Sequence, residues 1–237
     1  APTFPIVPRR SRTEAPSVSR LRTYVLTGGS SGIGAALARE LAAPGVRLAL
    51  IGRDGERLAA VADACRAKGA VVETAIIDVR DRVRLHAWLA EIDAAGPVDV
   101  LIANAGVTAG LGPRRSRESD DDVRRQVEIN LIGAIDTVNG IVEAMRARRS
   151  GQIVLVSSLA GIRGYAAMPT YSATKAAVMA YGEALRGWLR PRGIAVTVMI
   201  PGFVTSPMSS RHKGSKPFEM SAEEAARIMA RGIARRR

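Results

Sequence analysis

Thr23-Tyr24-Val25-Leu26-Thr27-Gly28-Gly29-Ser30-Ser31-Gly32-Ile33-Gly34 opens the ordered pattern of the chain. The first five residues read as a short buried strand, and residues 35–43 after the glycines read as helix. Strand, glycine-rich turn and helix in that order form a cradle for a pyrophosphate. The backbone must pass close to the phosphates, which glycine permits. The helix N-terminus then offers free N–H groups and a favourable dipole.

The alternation continues outward from this stretch. Further strands are predicted at 46–51, 70–77, 98–103, 153–156 and 194–200. Helices are predicted at 54–68, 80–95, 120 to about 149, 169–190 and 222–234. Repeated βαβ units with near-continuous apolar strands imply a parallel sheet covered on both faces. Right-handed crossovers then give a doubly wound α/β fold of three layers, α/β/α, in a single domain over 22–237. A ligand site in such a sheet lies at the carboxyl ends of the strands. The polar clusters all fall there: Thr27 to Gly34, Gly52-Arg53, Asp78, Asn104-Ala105-Gly106, Ser157-Ser158 and Pro201-Gly202. Each could separately be a cap or a turn, but six on one edge are not predicted by that account.

Bulk composition narrows the function classes. The chain has 237 residues, 47% of them hydrophobic, enough for a sizeable core. No apolar run reaches the roughly 18 residues of a membrane-spanning helix. Cys65 alone excludes an internal disulfide, and His86 and His212 have no metal-ligand spacing, so both read as ordinary surface residues and no metal is expected. A reducing compartment, the cytoplasm, is the expected setting. The net charge is +13, with 31 Arg against 4 Lys, which raises the question of nucleic acid. The arginines are spread through the chain and aromatics are only 4%, so stacking platforms are scarce and nucleic acid is not the expected partner. Residues 1–21 are rich in Pro and Arg without apolar periodicity and read as a flexible basic arm.

A second stretch carries chemistry. Residues 168–177 read M-P-T-Y-S-A-T-K-A-A. Pro169 suits a first helical turn, and Tyr171 and Lys175, four apart, share a face. A nearby cation favours a phenolate, so Tyr171 is a candidate general acid/base.

Together these motifs resemble the short-chain dehydrogenase/reductase family over about residues 22–208. Thr27–Gly34 matches its T-G-x-x-x-G-I-G, Asn104–Gly106 its N-A-G element, and Asn130, Ser158 and Tyr171-x-x-x-Lys175 follow in order. Ser158 lies 13 residues before Tyr171, the family's interval, which selects it over Ser157. The resemblance implies an NAD(P)-dependent oxidoreductase interconverting a ketone and a secondary alcohol, with a 3-oxoacyl group among the candidate substrates. Tyr171 would donate the proton. Lys175 would lower the Tyr171 pKa and bind ribose hydroxyls. Ser158 would hold the substrate oxygen, and Asn130 a water linking Lys175 to solvent. Gly28, Ser30, Ser31, Gly32, Ile33 and Gly34 would cradle the dinucleotide, Asn104, Ala105 and Gly106 would line it, and Asp78 and Val79 would flank the adenine. Pro201, Gly202 and Val204 would lie near the carboxamide of the nicotinamide.

Cofactor choice follows from charge. An acid at the end of strand two would repel a 2′-phosphate, but that position is Gly52, followed by Arg53, which can pair with one. Ser30 resembles the residue that adds a further bond. NADP(H) is therefore expected over NAD(H), with Asp54 capping the next helix instead. Three departures from the family stand out. Ala103 replaces the first Asn of N-N-A-G. Thr205 and Ser206 share the place of a single Thr. The usual seventh strand at the sheet edge is not found in this sequence, through either truncation or an open edge. A lid is expected at 206–220, with Arg211, His212, Lys213 and Lys216 able to meet an anionic group. A homodimer or homotetramer through the helices at 120–149 and 169–190 is implied by the family. The competing reading is a nucleotide-sensing binding protein without turnover.

Overall fold

The computed structural model describes residues 20–211 and 216–236. Most of the expected arm and residues 212–215 of the expected lid, with His212 and Lys213, lie outside the described residues. Six parallel strands form one sheet in the order β3-β2-β1-β4-β5-β6. They are β1 (Arg22–Thr27), β2 (Val46–Gly52), β3 (Val71–Ile76), β4 (Val100–Ala103), β5 (Gly151–Val156) and β6 (Ile194–Met199). The order reverses between β1 and β4, and a crevice opens at their carboxyl ends.

The sheet buries both faces, and alternate residues of one strand serve opposite cores. Val25 of β1 faces a core with Leu85 and Leu89 of α3 (Arg82–Ala95) and Val178 and Leu185 of α8 (Pro169–Leu189). Its neighbours Tyr24 and Leu26 face the other core. There α1 (Gly32–Leu41) supplies Leu37, α2 (Gly55–Arg66) supplies Leu58 and Val61, and α9 (Ala222–Ala234) supplies Met229 and Ile233. Asp54 caps α2, accepting from the Arg57 N–H at 3.0 Å, as its position predicts. At the other end of the expected arm, Arg20 is held by the Pro97 carbonyl and the Asp99 carboxylate.

The middle helix departs from expectation. The sequence predicts one helix from 120 to about 149, but the chain runs as α4 (Asp120–Val127), a π turn (Glu128–Ile132), α5 (Gly133–Asn139) and α6 (Val142–Arg148). The π turn contains Asn130, whose side chain leaves its own helix to bind the chain after β4. The second break comes at Gly140, where a Cβ would lie 2.5 Å from Leu89 Cδ1 and 3.2 Å from the His86 ring. His86 is thus not an ordinary surface residue: it is half-buried and bonds the Asp136 carbonyl at 2.9 Å. A short helix α7 (Leu159–Ile162) after β5 has no counterpart in the predicted elements.

Twelve of the described arginines pair with acids. Six pairs at i,i+3, among them Arg66–Asp63, Arg125–Asp122 and Arg146–Glu143, sit on helix surfaces. Among the described residues no helix is long and apolar enough to cross a membrane, and no cluster of His, Cys, Asp or Glu could hold a metal ion.

Candidate active site

A cavity of about 530 Å³ occupies the crevice. Of the predicted catalytic and cofactor-binding residues all but Asn130 line it, whereas Lys216 of the expected lid does not and pairs with Glu219 at 3.6 Å. Its floor on one side is the turn from β1 to α1. Gly28 (φ 72°) and Gly32 (φ 53°) adopt left-handed conformations that favour glycine. Gly34 is there for closeness: a Cβ on it would lie 2.1 Å from the Gly28 carbonyl oxygen. The N-cap residue of α1, Ser31, makes no side-chain cap bond, so the first N–H groups of the helix are left to the cavity. Ser30, Ser31 and Ile33 line the same turn. Thr27 ties the turn to the next strand, its hydroxyl accepting from the N–H groups of Asn104 and Ala105, both at 3.1 Å. Asn104 Nδ2 donates back to the Thr27 carbonyl at 3.0 Å. This turn has the donors and the clearance that a dinucleotide pyrophosphate requires.

Beyond the turn the cavity wall passes the ends of β2 and β3. Gly52 brings no carboxylate to this end, and a Cβ there would press on Ser30 Cβ at 3.0 Å and on Leu58 Cδ1 at 3.3 Å. Arg53 is exposed and only loosely paired, 3.8 Å from Asp78. Asp78 itself is engaged by Arg80 through the backbone N–H, Nε and a terminal nitrogen at 2.8–3.1 Å. Those bonds hold its carboxyl below the usual range. Asp54 is likewise held low by the backbone and side chain of Arg57. Both acids near this end are therefore already satisfied. Val79, at the same edge, is buried.

The other half of the cavity holds the predicted catalytic side chains. The β5 end separates two serines. The Ser157 hydroxyl is buried and donates to the Lys175 carbonyl at 2.7 Å, whereas Ser158 hydrogen-bonds the Tyr171 side chain. Spacing thus picks the serine that reaches the phenol, and Ser157 is a tether that the motif does not reveal. Helix α8 carries Tyr171 and Lys175 on one face. The Lys175 ammonium lies 5.7 Å from the Tyr171 ring centroid and donates to the Val156 carbonyl at 2.8 Å. Burial pulls its pKa down to about 8. Gly161 of α7 lets that helix lie against α8, since a Cβ there would meet the Lys175 carbonyl carbon at 2.7 Å.

The expected depression of the Tyr171 pKa by Lys175 is not observed. Burial dominates and pushes the phenol up, with the Ser158 hydrogen bond the opposing influence. The ammonium lies beside the ring and donates to the Val156 carbonyl.

Asn130 stands behind the cavity wall. Its Oδ1 accepts from the Val107 N–H at 2.8 Å, and its Nδ2 donates to the Val107 carbonyl at 2.9 Å and to Thr174 Oγ1 at 3.1 Å. The side chain is therefore spent on pinning the loop after β4 to α8. Gly106 lies between it and the lysine: a Cβ at 106 would be 3.4 Å from Asn130 Oδ1 and 3.5 Å from Lys175 Nζ. Pro201, Gly202 and Val204 follow β6, and Val204 is buried in a bridge with Met220. Of the two residues sharing the usual Thr position, Ser206 lines the cavity and Thr205 does not.

This constellation joins a dinucleotide cradle to a Ser-Tyr-Lys set in one cavity, and the comparisons agree with it. The short chain dehydrogenase family matches residues 22–216. The chain belongs to that family. It is 39% identical to an uncharacterized oxidoreductase of Myxococcus xanthus, over 90% of this chain and 84% of that one. It is 33% identical to a ketoacyl reductase of Nostoc sp., over 78% of this chain and 64% of that protein. Among solved structures, a short-chain dehydrogenase from Sphingobium yanoikuyae in complex with NADPH aligns with a TM-score of 0.82 at 28% identity, over 91% of this chain and 85% of that one. A short-chain dehydrogenase from Mycobacterium paratuberculosis bound to NAD aligns with a TM-score of 0.80 at 25% identity, over 90% of each chain. This chain is an oxidoreductase of the NAD(P)-dependent short-chain type.

Proposed function

We propose that the enzyme reduces a ketone to a secondary alcohol with NADPH, and that a 3-oxoacyl group is among its substrates. The observation that carries this reading is the half-buried Tyr171 beside Ser158 in the cavity that the glycine turn floors. Gly28, Ser30, Ser31, Gly32, Ile33 and Gly34 would hold the pyrophosphate, with Asp78 and Val79 at the adenine. Asn104, Ala105, Gly106 and Lys175 would line the ribose side, and Pro201, Gly202 and Val204 the carboxamide end. A nucleotide held there would supply the hydride for the carbonyl carbon. Ser158 donates a hydrogen bond to the carbonyl oxygen and stabilises the charge that develops there. Tyr171 gives that oxygen its proton, and Lys175 stabilises the phenolate left behind. Asn130 fixes the loop against α8, and its expected role in holding a water for reprotonation belongs to the same reading.

The choice of NADPH rests on Arg53 and Gly52. Arg53 is a loosely held cation, and the neighbouring acids are already paired with arginines. The named Nostoc relative, and Leu159, Met168, Phe203 and Met208 in the lining, support a substrate with an apolar body. A dimer or tetramer in the cytoplasm completes the reading. The half-exposed Ile132 and Trp188 on the two helical segments concerned support the assembly.

Fluorescence titration with NADPH and NADH tests the cofactor choice. NADPH is expected to bind more tightly, and Arg53→Ala to weaken NADPH by about 10- to 100-fold, the size of one charge-assisted contact. NADH affinity should stay unchanged in the same variant. Equal or tighter NADH binding by the unaltered protein would overturn the NADPH assignment.

A further inference from the structure

The buried carboxylate of Glu118 has no place in the reaction described above. It lies in the loop between β4 and α4 and is 6% exposed. Its two oxygens divide their bonds between two elements. Oε2 accepts from the Thr170 backbone N–H at 3.0 Å and from the Thr170 hydroxyl at 2.6 Å. Oε1 accepts from Gln126 Nε2 at 3.2 Å. Gln126, on α4, is fully buried. Its Nε2 also donates to the Asp122 carbonyl at 3.1 Å, and its Oε1 accepts from the Ala109 N–H at 3.0 Å.

Thr170 immediately precedes Tyr171 in the first turn of α8, where backbone N–H groups have no intrahelical partner and a negative charge is stabilised. Ala109 immediately follows Thr108, which lines the cavity. The same two segments touch again at the Thr108 hydroxyl and Met168 sulfur, 3.1 Å apart, and where the Leu111 N–H donates to the Ala167 carbonyl at 3.0 Å.

We propose that Glu118 and Gln126 form a buried latch that positions Tyr171 relative to the Thr108 wall, and so sets the spacing across the substrate half of the cavity. Glu118 and Gln126 are positioning residues, acting through Thr170 and Ala109. The inference rests on Tyr171 being the proton donor. The latch bears on the substrate side alone, because none of its bonds reaches the glycine turn. Loosening it therefore lowers turnover while leaving nucleotide affinity in place.

The test compares Glu118→Ala, Glu118→Gln and the unaltered enzyme. The readouts are kcat and KM with a ketone, NADPH affinity, and peptide-level hydrogen exchange on the nucleotide-free protein. In Glu118→Ala, kcat should fall about 10- to 100-fold, the cost of a misplacement near 1 Å, and the NADPH Kd should stay within about twofold. Exchange should quicken in peptides covering 107–112 and 168–172 and stay unchanged over 22–34. Glu118→Gln keeps one acceptor for Thr170 but turns an amide nitrogen toward Gln126, so it should recover part of kcat. It serves as the test should the alanine variant fail to fold.

Unchanged kcat in Glu118→Ala would overturn the latch. So would a loss of NADPH affinity matching the loss of kcat, or unchanged exchange over 107–112 and 168–172. If the unaltered protein reduces no ketone, the reduction reading fails, while the exchange pattern still decides whether the latch exists.

Discussion

The two halves of the cavity are built from different materials. The dinucleotide half is mostly backbone: Gly28, Gly32 and Gly34 at the end of β1, the start of α1, and the Asn104–Thr27 exchange that ties β4 to the turn. The substrate half is mostly side chains on loops and on α7 and α8, such as Leu159, Tyr165, Met168 and Phe203. Backbone construction tolerates few residue types at each position, because clearance of an ångström decides whether the turn closes. Side-chain construction tolerates many, because the wall needs only volume and polarity. The first half can serve one cofactor chemistry in many proteins, whereas the second can be rebuilt for a new ketone without disturbing it.

If the halves are separable, single substitutions should break one and spare the other. The largest effect is expected for Tyr171→Phe, which removes the proton and leaves the ring. It should lower kcat by about 10²- to 10⁴-fold, the range for general acid catalysis, with NADPH affinity within about twofold. Stopped-flow or steady-state assays beside a binding titration read both numbers, and full activity would remove Tyr171 from the mechanism. The converse is Gly34→Ala. Its methyl would lie 2.1 Å from a backbone carbonyl oxygen, a neighbour that cannot rotate away. The turn must shift, and NADPH affinity should fall by about 10- to 100-fold, equivalent to the 1–3 kcal/mol typical of overpacking. Titration of that variant with unaltered affinity would mean that the turn is looser than its contacts imply.

The same difference in construction explains what could be read from the chain beforehand. The strand, glycine and helix pattern at 23–43 announces itself because its spacing is a steric requirement, and Tyr171 with Lys175 because a helix puts i and i+4 together. Ser158 was separable from Ser157 by its interval to Tyr171, and in the structure the hydroxyl of Ser157 is turned to the Lys175 carbonyl. Glu118 and Gln126 were not legible. They lie eight residues apart in a polar stretch, and only tertiary contact with Thr170, 52 residues from Glu118, makes a partner of that acid. The break of the middle helix was hidden for a similar reason. The π turn at Asn130 answers to a bond with Val107 that no local pattern encodes, although the second break falls on Asn139-Gly140, a turn-favouring pair. The Tyr171 pKa went the other way because spacing gives proximity to Lys175 but not the degree of burial, which here is the larger influence.

The proposed mechanism assigns Lys175 to both halves, and it sharpens the comparison by the smallest expected effect. Its ammonium is buried, and its pKa falls to about 8 in the folded protein. The unfolded lysine keeps its proton to about pH 10.4. Between these values the unfolded chain binds more protons, so this group makes stability rise with pH from about 8 to 10.5. Below pH 8 the folded protein carries the full cost of the buried charge, on the order of 3 kcal/mol at 1.36 kcal/mol per unit, partly offset by the bond to the Val156 carbonyl. Lys175→Met removes the titration and keeps much of the volume. Thermal melts at pH 7 and pH 10 should therefore show the variant gaining on the unaltered protein at the lower pH, by about 2–8 °C more than at the higher. The variant should also lose turnover, which would place the strain of a buried charge at a residue that the proposed mechanism uses. A difference in melting temperature that is flat with pH would show that the ammonium is not desolvated in the folded state, and the lysine would then be an ordinary member of the cofactor wall.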